Sequence, residues 1–173
     1  MDQVIEILKI LIPAGLVLYG MFLTTKSFLN REMEKKLLDI RAKGTEHVLP
    51  NRLQAYERMC LFLERISPNN LITRLNDKSY SARQFQHIMV VEIREEFNHN
   101  LSQQLYMSDE SWSLIKNTVE ELISTINQAA NELPEEAKSL DLARKVIEKY
   151  MEEQTDMIGN TLKYVKDEIR KVF

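Results

Sequence analysis

Residues 108–133 read SDESWSLIKNTVEELISTINQAANEL. Apolar side chains recur in this stretch at alternating steps of three and four, which places them on one face of an α-helix. That face comprises Trp112, Ile115, Val119, Leu122, Ile126 and Ala129. Ser108 or Asp109 supplies an N-cap, and Leu133 followed by Pro134 supplies a stop. The stretch therefore predicts an amphipathic helix with one buried face.

Two further helices with the same spacing are predicted before this one. Ser81 and Gln84 match a capping box, and apolar residues then recur every four positions. These are Phe85, Met89, Ile93, Phe97, Leu101 and Leu105. Pro50 suits the first turn of an earlier helix. The apolar face of that helix is Leu49, Leu53, Tyr56, Cys60 and Leu63.

The C-terminal stretch, residues 134–173, is predicted to be one long helix. Its apolar stripe has the near-heptad spacing of a coiled-coil strand. The stripe is Ile147, Met151, Gln154, Ile158, Leu162, Val165, Ile169 and Val172. Gly159 weakens the middle of such a helix by about 1 kcal/mol relative to alanine. We expect the stripe to pack on the chain's own helices, with a partner's surface as the alternative.

Composition limits the class of protein. The chain has 173 residues with 4 Gly and 4 Pro, too few for the turns of an all-β fold, and no stretch shows strand alternation. A 44% hydrophobic content excludes a disordered protein. The net charge of −3 argues against a nucleic-acid partner. Cys60 is the one cysteine, so an intrachain disulfide or cysteine metal cluster is excluded. Its place on an apolar face predicts an inert thiol.

The N-terminus predicts a membrane anchor. Residues 10–23, ILIPAGLVLYGMFL, carry no charge, and extension back to Val4 gives roughly 20 residues, enough for a bilayer core of ~30 Å. The anchor positions are Ile10, Pro13, Gly15, Tyr19, Gly20 and Leu23. A cleaved signal peptide is disfavoured by Asp2 and Glu6 near the start. A buried core helix is disfavoured because the run is apolar on all faces.

Basic residues after the anchor predict its orientation. They are Lys26, Arg31, Lys35, Lys36, Arg41 and Lys43. The positive-inside rule then places the N-terminus outside and the C-terminal domain in the cytoplasm. The same residues could instead contact anionic lipid. A helix end is expected at Gly44, so we predict an anchor at 1–24, a basic juxtamembrane helix at 25–44 and a cytoplasmic bundle at 45–173.

One polar stripe is the strongest candidate site. Glu92, Glu96, His99 and Gln103 recur at helical steps, with Asn100 beside them. Glu96-x-x-His99 has the spacing of bundle di-iron sites, but such sites need two copies and two more glutamates. We expect a polar network or a partner-facing patch. A metal site of Glu92, Glu96 and His99 completed across a dimer is the alternative. The sequence contains no catalytic or nucleotide-binding motif, so neither enzyme activity nor a cofactor is expected.

Two stretches resemble a known family. Matching residues in the first are Arg52, Gln54, Ala55, Tyr56, Glu57 and Arg58. Matching residues in the second are His99, Asn100, Leu101, Gln103, Gln104 and Tyr106. They resemble an uncharacterised family of small, single-pass, membrane-anchored helical proteins from Bacteroidota that has no assigned activity. The resemblance implies a bacterial inner membrane. Asn98 departs from the acidic residue expected there, which weakens a metal role further.

These observations favour one hypothesis. The chain is expected to be an all-α protein, with a transmembrane helix followed by an antiparallel helical bundle that ends in a long helix. Its function would be that of a non-enzymatic, membrane-anchored adaptor or accessory subunit of an inner-membrane complex. Its partners would be membrane lipid and either another inner-membrane protein or a second copy, with no small-molecule substrate. The alternatives are a dimeric bundle metalloprotein and a lipid-surface-associated structural protein.

Overall fold

The computed structural model describes residues 2–152 and 156–171, with side chains at 11–38, 48–152 and 156–171. Their regular structure is helical, and no strand occurs among them. The helices are α1 (Asp2–Ile66), α2 (Pro68–Leu75), α3 (Ala82–His99), a 3-10 helix (Leu101–Tyr106), α4 (Asp109–Asn131), α5 (Ser139–Glu152) and α6 (Met157–Arg170). The predicted all-α class is confirmed.

Helix α1 is longer than expected. It runs without interruption from Asp2 to Ile66, so the predictions of a helix end at Gly44 and a new helix at Pro50 are wrong. A glycine costs a helix about 1 kcal/mol and a proline about 3 kcal/mol, and neighbouring residues can outweigh both. Good helix formers lie on either side, and the Pro50 ring is exposed. Local stop signals were therefore overridden by the surrounding sequence.

The chain divides into two compact units, Met1–Leu49 and Pro50–Phe173. The first is formed by α1 alone. The second contains the last part of α1 and all later helices, and it holds the hydrophobic core. The predicted division at residues 24 and 44 stays a prediction.

Helix α4 lies at the centre of the second unit, where it contacts α3, α5 and α6. Its predicted apolar face is buried apart from Trp112, which is half-buried and stacks on Phe97 of α3 with 5.4 Å between ring centroids. Phe97 also meets Phe62 of α1, at 5.9 Å. The aromatic residues thus join three helices in one core.

Two predicted faces need correction. On α1, Leu53 is 46% exposed and Cys60 is half-buried. The buried residues there are Ala55, Tyr56, Met59, Phe62, Leu63 and Ile66. The stripe on α3 is right as far as Phe97, but Leu101 and Leu105 are exposed. The reason is local, because α3 ends at His99 and the tighter turn of the 3-10 helix rotates later residues off the α-helical face.

The predicted N-caps of α3 and α4 are confirmed. The Gln84 amide donates to the Ser81 hydroxyl at 3.2 Å, and the Ser81 amide donates to Gln84 Oε1 at 3.0 Å, which completes the capping box. The Ser111 amide likewise donates to the Ser108 hydroxyl at 3.1 Å, so Ser108 caps α4.

The prediction of a single C-terminal helix is wrong. Helix α5 begins at Ser139. Just before this start, the Lys138 amide donates to the Asp141 carboxylate at 3.0 Å. Helix α6 begins anew after Asp156, whose carboxylate accepts the Gly159 amide at 2.9 Å. Gly159 is therefore the third residue of α6 and does not lie in the middle of a long helix. Asp156 acts as the N-cap of α6. Its side chain therefore favours a new helix at this point over continuation of α5.

The predicted apolar stripe mostly packs on the chain itself. Ile158, Leu162 and Val165 of α6 are buried in the core, whereas Met151 at the end of α5 is 77% exposed. Gln154 and Val172 lie outside the described residues. The described part of the stripe therefore belongs mainly to the core of the second unit, as expected.

Candidate functional site

The first candidate surface is the apolar segment of α1, Leu11–Leu38. By length and composition it could cross a membrane, and a signal sequence would meet the same criteria. None of its most apolar window is buried. Tyr19 is 62% exposed and Leu23 is 47% exposed. Continuous exposed apolar surface of this extent is unfavourable in water.

The predicted anchor positions lie in this segment. Pro13, Gly15, Tyr19, Gly20 and Leu23 are all exposed, whereas the Ile10 side chain lies outside the described residues. A Cβ atom added at Gly15 or Gly20 would meet nothing within 4 Å. Small residues of this kind let a second helix approach closely in a membrane.

The predicted basic positions follow the apolar run. The side chains of Lys26, Arg31, Lys35 and Lys36 are exposed. Those of Arg41 and Lys43 lie outside the described residues. The same stretch of α1 carries exposed Leu29, Met33 and Leu37. Apolar and cationic side chains thus alternate along the exposed helix, which suits the boundary between lipid chains and head groups.

The polar stripe of α3 bridges helices through its two carboxylates. Glu96 forms an ion pair with Arg65 of α1, and Glu92 forms one with Arg74 of α2. Arg65 is 52% exposed and Arg74 is 32% exposed, so both pairs lie at the edge of the bundle. Partly solvated pairs of this kind stabilise a fold by about 0.2–1 kcal/mol.

The other members of the stripe do not join the two glutamates. His99 is exposed, and its Nδ1 lies 2.9 Å from the Glu95 carbonyl of the same helix. Asn100 Nδ2 donates to the Glu96 carbonyl at 2.8 Å, and Gln103 Nε2 donates to Ser102 at 3.3 Å. Only the glutamates bridge helices, whereas His99, Asn100 and Gln103 make local contacts.

Among the described residues, no group of three or more His, Cys, Asp or Glu side chains could hold a metal ion. Glu92 and Glu96 face arginine side chains, which disfavour a cation. Burial raises the pKa of the Cys60 thiol, and the nearby Lys166 only partly opposes that effect. The arrangement at Cys60 therefore favours the neutral thiol over a reactive thiolate.

Some acidic residues on and just after α4 contact other helices, and the others face solvent. Glu132 pairs with Lys149 and, at 3.4 Å, with Lys145 of α5. Glu110 accepts the Tyr164 hydroxyl of α6 at 2.7 Å. The remaining acids, Asp109, Glu120 and Glu121, have exposed side chains. The solvent-facing side of α4 thus keeps a net acidic character.

A surface cavity of about 430 Å³ lies between the end of α1, α5 and α6. Its walls include Glu64, Tyr150, Asp156 and Leu162. The Asp156 carboxylate already accepts the Gly159 amide and, at 2.7 Å, the Tyr150 hydroxyl. Those contacts hold the start of α6, so the Asp156 carboxylate in the cavity wall has a structural role.

The sequence reasoning missed a polar cluster at the start of α4. The buried Ser111 hydroxyl donates a hydrogen bond to the half-buried Glu168 carboxylate of α6. Burial raises the pKa of Glu168, but the facing donors of Ser111, Tyr56 and Ser108 outweigh it and leave the pKa below its ordinary value. The carboxylate is therefore held in its charged form, between α1, α4 and α6.

Two residues of α1 complete this cluster. Tyr56 is 1% exposed, and its hydroxyl lies beside Glu168 and Arg52. Burial, followed by the hydrogen bond to Glu168, raises the pKa of Tyr56, and Arg52 opposes the shift. Arg52 Nε donates to the Tyr106 carbonyl at 3.3 Å. Arg52 and Tyr106 were noted in the sequence only as matching positions of a resemblance, and Tyr56 also as part of a predicted apolar face.

The fold and these sites define an all-α protein with a candidate membrane helix. The chain belongs to the Family of unknown function (DUF7935), which matches residues 2–172. The expected relation to an uncharacterised family is confirmed by this match, whereas the Bacteroidota origin stays a prediction. No curated protein and no solved structure is significantly similar to the chain.

Proposed function

We propose that the chain is a non-enzymatic adaptor or accessory subunit of an inner-membrane protein complex. It would be a single-pass protein with its N-terminus outside and its helical bundle in the cytoplasm. The observation that carries the proposal is the exposure of the apolar segment Leu11–Leu38. None of its most apolar window is buried by other described residues. Lipid and neighbouring membrane helices are the surroundings that suit it.

The features of the second unit support an interaction role. Several of its described polar side chains join its own helices, as in the pairs Arg65–Glu96 and Arg74–Glu92. The exposed acids Asp109, Glu120 and Glu121 leave α4 an acidic outer face. Such a face suits a partner with basic side chains, by electrostatic complementarity. The basic stretch after the anchor is proposed to set orientation, as the positive-inside rule describes.

The metalloprotein alternative has less support from the geometry. It requires Glu92, Glu96 and His99 to converge, but the two carboxylates engage arginines and His99 contacts its own helix. The lipid-surface alternative uses the same basic residues as the proposal. The two differ in whether the apolar segment spans the bilayer, which can be measured.

The proposal is tested on full-length tagged protein in its native membrane. Alkaline carbonate extraction should leave the protein in the membrane pellet, with the apolar segment still present by mass spectrometry of the intact chain. Purification in mild detergent should then recover a second membrane protein in fixed stoichiometry. Release into the soluble fraction, or loss of the apolar segment, would contradict the anchor. A pure, lone species would contradict the accessory role.

A matched pair of variants sharpens the partner test. Glu120 and Glu121 are exposed on α4, so Glu120→Lys with Glu121→Lys reverses the acidic face at little cost to the fold. Glu135→Lys with Glu136→Lys changes charge equally on the exposed segment before α5. The first pair should lose the co-purifying partner and the second should keep it. Equal recovery with both pairs would exclude α4 as the docking face.

A further inference from the structure

The surface cavity between α1, α2, α5 and α6 carries an inference about binding. Its volume of about 430 Å³ lies in the range of about 300–1,000 Å³ that is typical of ligand pockets. Its apolar walls are Pro68, Ile147, Met151, Ile158 and Leu162. Pro68, Ile158 and Leu162 are buried, whereas Met151 is exposed. The cavity can therefore hold an apolar group on its floor while its mouth stays open to solvent.

The charged side chains of this cavity are acidic. They are Glu64 near the end of α1 and Asp156 at the start of α6, and no basic side chain lines the cavity among the described residues. The exposed Glu64 carboxylate makes no hydrogen bond or ion pair with a described residue. Asp156 accepts the Tyr150 hydroxyl and the Gly159 amide at the same oxygen, Oδ1. Within the described structure, neither carboxylate is thus neutralised by an ion pair.

The helix ends around the cavity do not change the sign of this charge. Helices α1 and α5 end there with partial negative charge, and α2 and α6 begin there with partial positive charge. These partial charges oppose each other, which leaves the full charges of Glu64 and Asp156. Hydrogen bonds from Tyr150 and Gly159 also lower the pKa of Asp156, so its carboxylate is charged near neutral pH. The cavity therefore favours a cation over an anion.

The other walls suit a cation that is carried on an apolar stem. The Tyr150 ring can pack against an ammonium or guanidinium group, and the Met151 side chain adapts to alkyl chains of varied shape. An alkyl stem gains by leaving water for apolar walls, while its charged head stays at the carboxylates of the rim. A metal ion fits less well, because no group of three or more ligating side chains occurs among the described residues.

We propose that this cavity binds an amine or guanidinium group on an alkyl stem, with the charge at Glu64 and Asp156 and the stem against Ile158 and Leu162. A lysine or arginine side chain of a partner protein and a free alkylamine share this chemistry. The site goes beyond the proposed adaptor role and does not depend on the membrane anchor. Failure of the binding tests would therefore leave the test of the anchor unaffected.

Butylammonium is the first probe, with full-length protein in mild detergent. Isothermal titration calorimetry should show saturable binding. Methylammonium lacks three methylene groups of the stem and should bind at least about tenfold more weakly. The uncharged 1-butanol should also bind more weakly than butylammonium, because it cannot pair with the carboxylates. Equal affinity of 1-butanol would exclude a role for the two acids, and heats that never saturate would overturn the site.

Charge variants at Glu64 test the rim. Glu64→Gln should weaken butylammonium binding about two- to fivefold, as expected for a partly solvated charge pair. Glu64→Lys places an ammonium group at the rim and should abolish binding. Glu57→Gln and Glu57→Lys are the matched controls, because Glu57 is exposed on α1 and does not line the cavity. Equal losses at the two positions would show general attraction by surface charge, against the proposal.

Methionine methyl NMR shows where the probe binds. In protein labelled with ¹³C at the methionine methyl groups, butylammonium should shift the Met151 signal and saturate as the calorimetric heat does. Met33 is exposed on the apolar segment of α1, so it controls for contact through detergent and should not shift. Met151→Leu and Met33→Leu assign the two signals. Equal shifts of both signals would overturn the site.

A blocked lysine separates the two sources of the cation. Lysine that is capped at its α-amino and α-carboxyl groups carries the same ammonium and butyl stem on a peptide unit. Comparable affinity of capped lysine and butylammonium would support a side chain of a partner protein as the ligand. Binding of butylammonium alone would support a free alkylamine, and binding of neither would overturn the proposal.

Discussion

The Ser111 hydroxyl of α4 donates a hydrogen bond to the Glu168 carboxylate of α6, across 57 residues of sequence. Ser111 is fully buried, and Glu168 is half-buried beside Tyr56. The contact fixes the end of α6 to the start of the central helix, where apolar packing gives way to polar side chains. The position of α6 is therefore set by a specific polar contact as well as by burial of its apolar face.

Ser111→Ala should destabilise the fold through this contact. The change leaves the Glu168 carboxylate with one donor fewer, which costs about 1–3 kcal/mol in the free energy of unfolding, toward the lower end because Glu168 is half-buried. Urea unfolding followed by the fluorescence of Trp112, the one tryptophan, measures the loss. Ser113→Ala is the matched control, since Ser113 is exposed on the same helix. Equal stability of the two variants would contradict the role of the contact.

Gly159→Ala should also destabilise, although alanine is normally the better helix former. A Cβ atom at Gly159 would overlap the Asp156 carboxylate that caps α6. Loss of a cap costs about 1 kcal/mol, which offsets the similar gain that alanine brings inside a helix, and the overlap adds to the cost. Thermal unfolding should therefore give a lower midpoint for Gly159→Ala than for wild type.

The Asp156→Ala background is the control for Gly159. With the carboxylate removed, the added Cβ has space, and Gly159→Ala should then raise the thermal midpoint. This reversal of sign separates overlap at the cap from a general effect of alanine. A destabilisation that persists in the Asp156→Ala background would refute the steric explanation.

The sequence predicted the buried faces of α3 and α4 but not the polar cluster. The apolar faces of α3 and α4 follow from spacing, because a helix places residues three and four apart on one side. Gly44 and Pro50 predicted a break that α1 does not have. Their helix-breaking tendency is smaller than the combined helix preference of the surrounding α1 residues. Asp156 was overlooked as a cap because the apolar stripe continues through it at coiled-coil spacing. The Glu168 contact depends on residues 57 positions apart, which periodicity cannot pair.

Acidification should destabilise the chain through Asp156 and Glu168. Hydrogen bonds from Tyr150 and Gly159 lower the pKa of Asp156, and the donors around Glu168 outweigh burial and lower its pKa. Both stabilise the fold fully above the ordinary carboxyl pKa. The stabilisation is lost as pH falls through the lowered folded values, because the unfolded chain takes up protons first.

Asp156→Asn provides the measurement for this pH effect. Asparagine also caps helices, so the variant should match wild type near neutral pH. It cannot be protonated at this position, so its thermal midpoint should fall less than that of wild type between about pH 5 and about pH 3. Parallel acid profiles for the two proteins would show that Asp156 does not contribute.

The pair Arg65–Glu96 should contribute little to stability. Arg65 is 52% exposed, so solvent screens the attraction and the coupling should be about 0.2–1 kcal/mol. A double-mutant cycle with Arg65→Met and Glu96→Gln, measured by urea unfolding, gives the coupling directly, and added salt should reduce it. The same Glu96→Gln protein should have the metal content of wild type. Bound metal in wild type that is lost in this variant would revive the metalloprotein alternative.

The orientation of the proposed anchor should depend on the four exposed basic residues of its flank, Lys26, Arg31, Lys35 and Lys36. Their replacement by glutamine removes much of the charge that retains this side in the cytoplasm. A green fluorescent protein at the C-terminus should be bright for wild type in a bacterial host and dimmer for the variant. A C-terminal alkaline phosphatase should show the opposite change.

The control for total charge places glutamine at four exposed lysines of the bundle, Lys78, Lys116, Lys163 and Lys166. It should leave both reporters unchanged. Because the two sets differ in distance from the apolar segment and not in charge, an identical response would refute the proposed topology signal.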